Sequence, residues 1–208
     1  MGDQPGHEFH GNQWTAGGSA EAKAWAEKIK SSDKSPASPK FVAAVQEAVA
    51  ALPPGVIEKF RLDIPGHQLP TVVVRGDLKG SPHAVTHRLA VGFHDGENQR
   101  IFIMERTMSG DKNSDPKGNV AHEIGHAVAW NTGVSSRFWS TFREEHDKLP
   151  PGPRSYAKYY RSNEREAFAE TFSHVFGMGR DSCSMSRAAF EQKFSGSIAQ
   201  LKQDMGVS

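Results

Sequence analysis

A single cysteine, Cys183, leaves this 208-residue chain without an internal disulfide and without the thiolate cluster of a Cys-rich structural zinc site. No run of roughly twenty apolar residues occurs, so the sequence offers no membrane-spanning helix. Nor does the chain open with the basic, apolar and small-residue order of a secretory leader, and a soluble protein that begins in a cytoplasm is the expectation. Charge lacks a prevailing sign. Lys and Arg number 25 against 24 Asp and Glu, and a net charge of +1 gives no whole-chain case for nucleic-acid binding. No segment repeats. What remains is a chain long enough to bury a sizeable core.

Against that background one motif stands out, His122-Glu123-Ile124-Gly125-His126. Residues at i and i+4 share a helix face, so both imidazoles can grip one metal ion while Glu123 leans to the side where a water would be activated. That is zinc-peptidase chemistry. Asp115-Pro116 reads as an N-cap followed by proline at the first helical position, and Gly133 as the residue just beyond the helix end. Val120, Ile124, Ala127 and Val128 form an apolar stripe for the core, which leaves the histidines on an adjoining edge. The alternative is a buried helix with two hydrogen-bonded histidines.

A third ligand is needed. A metzincin would carry glycine and histidine three and six residues after His126, where this chain has Ala129 and Thr132. Downstream, Tyr159 to Phe172 reads as a helix with three acids, of which Glu166 and Glu170 are i,i+4 partners. Phe168, Phe172, Val175 and Phe176 make its core stripe, and carboxylates on so apolar a helix need partners. Glu166 is therefore the expected ligand. Glu170 is expected behind it, accepting the remaining ring N–H of a ligating histidine. Glu164 is the weaker candidate, with Phe168 at its i+4 position. A structural role for Glu166 stays open, with Asn163 as N-cap and Glu166 as its N3 partner.

At these residues the chain resembles the gluzincin metallopeptidases related to anthrax lethal factor and to the secreted Pro-Pro endopeptidases, through HEIGH and the downstream NEREAFAETF. The resemblance spans roughly residues 85 to 180 and is strongest in the two motif helices. It implies one zinc ion per chain held by His122, His126 and Glu166, with Glu123 as general base. It also implies that Tyr159, seven residues before Glu166, steadies the oxyanion. Ala167 departs from the bulkier aromatic of that family. On its own terms, the run Ser155 to Arg161 is basic and aromatic, and suits either a nucleic-acid surface or an amphipathic helix cover.

The remaining segments supply a zincin-like α+β fold with a small, mostly antiparallel sheet. Thr71 to Val74, Leu89 to His94 and Ile101 to Met104 read as strands, the last two joined by the hairpin signal Asp95-Gly96-Glu97-Asn98. Ile101 to Arg106 is the candidate edge strand for an extended substrate, though its continuous apolar run also suits an interior strand. Ser19 to Lys30 and Pro39 to Leu52 read as supporting helices around a Ser31 to Pro36 linker, and Ala188 to Met205 as one final helix. One domain over 19–208 is expected, with supporting helices at 19–60 and a catalytic core at 61–208.

The first eighteen residues read as a flexible tail. Gly6 to Trp14 resembles a short segment that recurs in bacteriophage head-morphogenesis and associated proteins, which implies a phage or prophage source. His7 and His10 stand i,i+3 in a glycine-rich stretch and are not expected to form a second metal site. The expected function is hydrolysis of a peptide or protein substrate by a zinc endopeptidase, with no nucleic-acid or membrane partner. The alternatives are a phage structural or adaptor protein that keeps a zincin fold as a binding module, and a basic-aromatic nucleic-acid binder.

Overall fold

The computed structural model describes residues 18–60, 62, 65–84, 86–87, 90–177 and 186–207, with the backbone alone described over 152–157. The phage-like segment, His7, His10, Leu89 and Cys183 lie outside the described residues. The chain begins with α1 (Ala20–Glu27), capped by the Ser19 hydroxyl, which accepts from the Ala22 N–H. A two-residue strand β1 (Lys30–Ser31) follows, then α2 (Pro39–Ala50) with Ser38 as cap and proline at its start, and a short α3 (Pro54–Glu58). Strands β2 (Thr71–Arg75), β3 (Gly92–Asp95) and β4 (Arg100–Met104) complete a sheet in the order β1-β2-β4-β3.

The class is α+β, and the sheet is mixed rather than mostly antiparallel. β1 pairs with β2 and β2 with β4 in parallel, and only the hairpin partners β3 and β4 run antiparallel. The reason lies in the connections. The hairpin turns the chain back so that β4 follows β2 in direction, while α2 and α3 form the crossover that keeps β1 parallel to β2. β4 is thus an interior strand, and the expectation of an edge strand at Ile101 to Arg106 is corrected. Its continuous apolar run has a simple cause. Ile101 and Ile103 enter the main core under the helices, whereas Phe102 and Met104 join a smaller cluster with Leu78 and Phe93 on the opposite face.

The long helix α4 (Pro116–Thr132) keeps the bounds its local signals dictate. Asp115 accepts from the Gly118 N–H at 2.9 Å, Pro116 opens the first turn, and Gly133 closes it with φ 74°. Then follow α5 (Ser136–Asp147), α6 (Pro151–Ser162), α7 (Glu164–Phe176), α8 (Arg187–Lys193) and α9 (Ser195–Asp204). Two single-helix expectations fail here. The stretch from Tyr159 to Phe172 breaks at Asn163, whose backbone is extended and whose side chain accepts from the Glu166 N–H. The final stretch breaks at Phe194, because the Glu145 carboxylate of α5 accepts from the Gly196 and Ser197 N–H groups and restarts the helix as α9. No described helix is long and apolar enough to cross a membrane.

α4 and α7 pack antiparallel and very closely. Gly177, just past α7, returns beside Gly118, while a Cβ on Gly125 would come within 2.8 Å of the Ala169 Cα and 3.0 Å of the Phe172 Cβ. Backbone cannot yield as a flexible side chain can. Gly125→Ala is therefore expected to wedge the helices apart at a cost of about 1–3 kcal/mol. Thermal unfolding should show a midpoint lowered by about 3–10 °C. An unchanged midpoint would mean that the two helices do not meet at this glycine.

Candidate metal centre and active site

The close approach of α4 and α7 sets two imidazoles against one carboxylate. His122 and His126 project from one face of α4 with their Nε2 atoms 3.2 Å apart. Glu166 reaches them from the first turn of α7, with Oε2 3.5 Å from His122 Nε2 and Oε1 3.5 Å from His126 Nε2. These three residues form a group whose ligand atoms could hold a metal ion. The dimensions suit a small tetrahedral cation such as zinc, whose bonds of about 2.0–2.2 Å keep neighbouring donors about 3.3–3.5 Å apart. Donor chemistry agrees, with two nitrogen lone pairs and one carboxylate converging on a point.

Electrostatics favour positive charge at that point. Burial alone would lower the pKa of His122, but hydrogen bonding with Glu166 and then Glu170 prevails and raises it to about 9. Burial likewise works to raise Glu166, yet its hydrogen bonds with His122 and His126 hold the carboxyl well below the usual range. A field that stabilises a proton between these groups also stabilises a metal cation.

Asn163 supplies the N-cap of α7 while Glu166 occupies its third helical position and faces the histidines. The Asn163 N–H donates to the Tyr160 carbonyl instead, so Glu166 enters the cap through its backbone N–H alone and its carboxylate is left to the histidines. Glu164 is exposed in the same first turn and is not part of the converging group. One turn on, Glu170 is 1% exposed, with Oε2 3.3 Å from His122 Nδ1 and Oε1 3.8 Å from His174 Nε2. It stands on the ring nitrogen that faces away from the donor triangle, where a carboxylate fixes tautomer and orientation.

Glu123 projects from α4 toward β3 and is buried. The approach depends on Gly92, where a Cβ would lie 2.8 Å from the Glu123 carboxylate. A cleft of about 620 Å³ runs along this face, lined by the histidines, Glu123, Glu166, β3 and Tyr159. Tyr159 is 56% exposed on its wall, and burial, then the charge and hydrogen bonding of Glu166, raise its pKa. Its neighbour Tyr160 instead packs on the main core. The two tyrosines thus have different surroundings although their rings touch edge to face at 5.5 Å.

Among the cleft residues that sequence reading missed are Trp130, His94 and Arg165. Trp130 lies one turn beyond His126, so the periodicity that paired the histidines extends to it. His94 lies on β3, and burial followed by the charge of His126 lowers its pKa to about 4. Arg165, next to Glu166 in sequence, also lines the cleft. Neither of the last two carries a local signal, because the strand order and the helix break at Asn163 decide their placement.

No protein-family model and no curated protein sequence matches the chain. In structure it is similar to the PRO-PRO endopeptidase from Paenibacillus alvei, with a TM-score of 0.58, 12% sequence identity, and coverage of 86% of this chain and 98% of that one. At that identity the likeness is one of fold.

The donor geometry yields a metal-content prediction. Glu166→Ala is expected to abolish stoichiometric metal, and Glu170→Gln to weaken affinity by about 10–100-fold, whereas Glu164→Ala leaves it intact. Elemental analysis and competition with a chromophoric chelator provide the readouts. Loss of metal in Glu164→Ala alone would move the site along the helix.

Proposed function

We propose that this protein is a zinc-dependent endopeptidase that hydrolyses peptide bonds in the cleft between α4 and β3. The observation that carries the reading is the donor triangle of His122, His126 and Glu166 with a buried carboxylate, Glu123, between that triangle and the strand. A structural zinc site closes its coordination with protein ligands and has no use for a base beside it. A fold shared with an endopeptidase adds support for a peptide as the substrate class.

Zinc, held by His122, His126 and Glu166, would supply the Lewis acidity that makes water acidic near neutral pH and polarises a carbonyl. Glu123 accepts the proton from the attacking water and delivers it to the leaving amine nitrogen. Tyr159, which lines the same cleft beside Glu166, donates its hydroxyl to the charge that develops on the carbonyl oxygen. Glu170 holds the His122 ring through Nδ1, so that its other nitrogen keeps a lone pair for the metal.

Among the described residues β3 pairs with β4 alone, which leaves its outer edge facing the cleft. An extended peptide that adds to that edge would run its backbone past Glu123, because Gly92 contributes no side chain to block the approach. β3 takes the substrate-rail role that the sequence suggested for the following strand.

Glu123→Gln is expected to retain one zinc per chain and the wild-type melting temperature while peptide hydrolysis falls by about 10²–10⁴-fold. Removing zinc with a chelator should abolish wild-type cleavage, and adding it back should restore activity. Undiminished cleavage by Glu123→Gln would place the base elsewhere. A wild type that binds zinc yet cleaves nothing in a broad peptide library would favour a binding module.

Tyr159→Phe should lower kcat by about 10²-fold with KM and zinc content nearly unchanged, as expected when an oxyanion donor is lost. Tyr160→Phe, with its ring packed against the core, should stay close to wild type. Equal behaviour of the two variants, or an effect of Tyr159→Phe on KM alone, would make Tyr159 a wall residue.

A further inference from the structure

The cleft also carries a cation that the hydrolytic chemistry does not use, Arg165. Trp130 is 46% exposed, an unusual state for so large an apolar side chain. Its ring is nevertheless fixed in place. A Cβ on Gly96, in the β3–β4 turn, would meet three indole atoms at 2.6, 2.7 and 2.9 Å, and the His94 ring stands edge-on at 6.2 Å. On this platform rests Arg165, its guanidinium carbon 5.3 Å from the indole centroid.

Stacking satisfies the flat face of a guanidinium and leaves its N–H edge free for a planar acceptor. Among the described residues Arg165 enters no ion pair. The acids around it have other partners. Glu166 is engaged with both histidines, and Asp95 accepts from the Asn98 backbone and side chain within the hairpin turn. Burial disfavours charge on the His94 ring, and burial followed by the charge of His83 works the same way on His87. A divalent cation held by His122, His126 and Glu166 would offset the charges of Glu123 and Glu166. Among the described lining residues, the charge left uncompensated would then be the positive one on Arg165.

We infer that Arg165, seated on Trp130, is a specificity determinant that recognises a carboxylate of the peptide substrate close to the scissile bond. The inference rests on the peptidase reading above and names the substrate class that the site favours, peptides with an acidic group beside the cleaved bond. The carboxylate can belong to an Asp or Glu side chain or to the C-terminus of a short peptide. Both offer the same two oxygens to the guanidinium fork. Because Arg165 is exposed, the preference should weaken as salt is added.

The test uses a peptide library to find cleaved sequences, then matched peptides that carry Asp or Glu against Asn or Gln at each position near the bond, with free and amidated C-termini. For the zinc-loaded wild type, kcat/KM is expected to favour the acid about tenfold at one position, or the free terminus over the amide. In Arg165→Met that ratio should fall to about one, and in Arg165→Glu it should turn toward Lys-containing peptides. Zinc content measured on each variant separates loss of recognition from loss of metal. Cleavage by the wild type without an acidic preference, or a preference that survives Arg165→Met, overturns the assignment and leaves the peptidase reading standing. If zinc-loaded wild type cleaves no peptide at all, both fall together.

Discussion

Placing carboxylates on a helix that is otherwise sealed in the core is the constraint from which this site follows. α7 buries Phe168, Phe172 and Phe176, and between them it carries Glu170 with almost no exposure and Glu166 with little. Ionised groups in such surroundings are tolerated only with cationic or hydrogen-bonding partners. The structure provides imidazoles, His122 and His126 from α4 and His174 from α7 itself. For them to reach, the two helices must nearly touch, which is why a bare backbone at Gly125 faces Ala169. Helix spacing, ligand geometry and the polarity of the cleft floor are thus one requirement seen at three scales.

The parts of the fold legible in the sequence are those set within a few residues. Asp115, Pro116 and Gly133 bound α4 because capping and backbone preference act locally, and the stripe of Val120, Ile124, Ala127 and Val128 is buried as its spacing requires. Glu166 and Glu170 could be picked out because two acids at i,i+4 among phenylalanines conflict with burial unless something meets them. What stayed hidden depends on distant partners. β1 is two residues long and exists because β2 is there to pair with it. The split between α8 and α9 is made by Glu145, about fifty residues upstream. The interior position of β4 could not be told from its apolar run, since such a run is equally what a strand between two clusters and a strand under a helix would show. α5 was overlooked although Phe138, Phe142 and His146 repeat at helical spacing on its buried face.

The cleft joins two kinds of positioning. Its floor, with Glu123 and the donor triangle, is held by packed helices and by a glycine strand edge that leaves no room for shift. Its upper wall is held by side chains on the surface, Trp130 under Arg165 and the exposed Tyr159. On the proposed reading, chemistry that demands fixed geometry would thus have the rigid support, and contacts that vary with substrate sequence would fall where substitution is tolerated.

The joint at Asn163 divides those responsibilities further. Tyr159 rides on α6 and Glu166 on α7, and one extended residue separates the helices. α6 is tied to α5 by the forked bonds of Arg161 to Asp147, at 2.6 and 2.9 Å. The two halves meet at that joint, and the Tyr159 hydroxyl reaches Glu166 across it. On the proposed reading, a lineage descended from this scaffold would have a way to retune turnover through α6 while all three residues that hold the ion stay on α4 and α7.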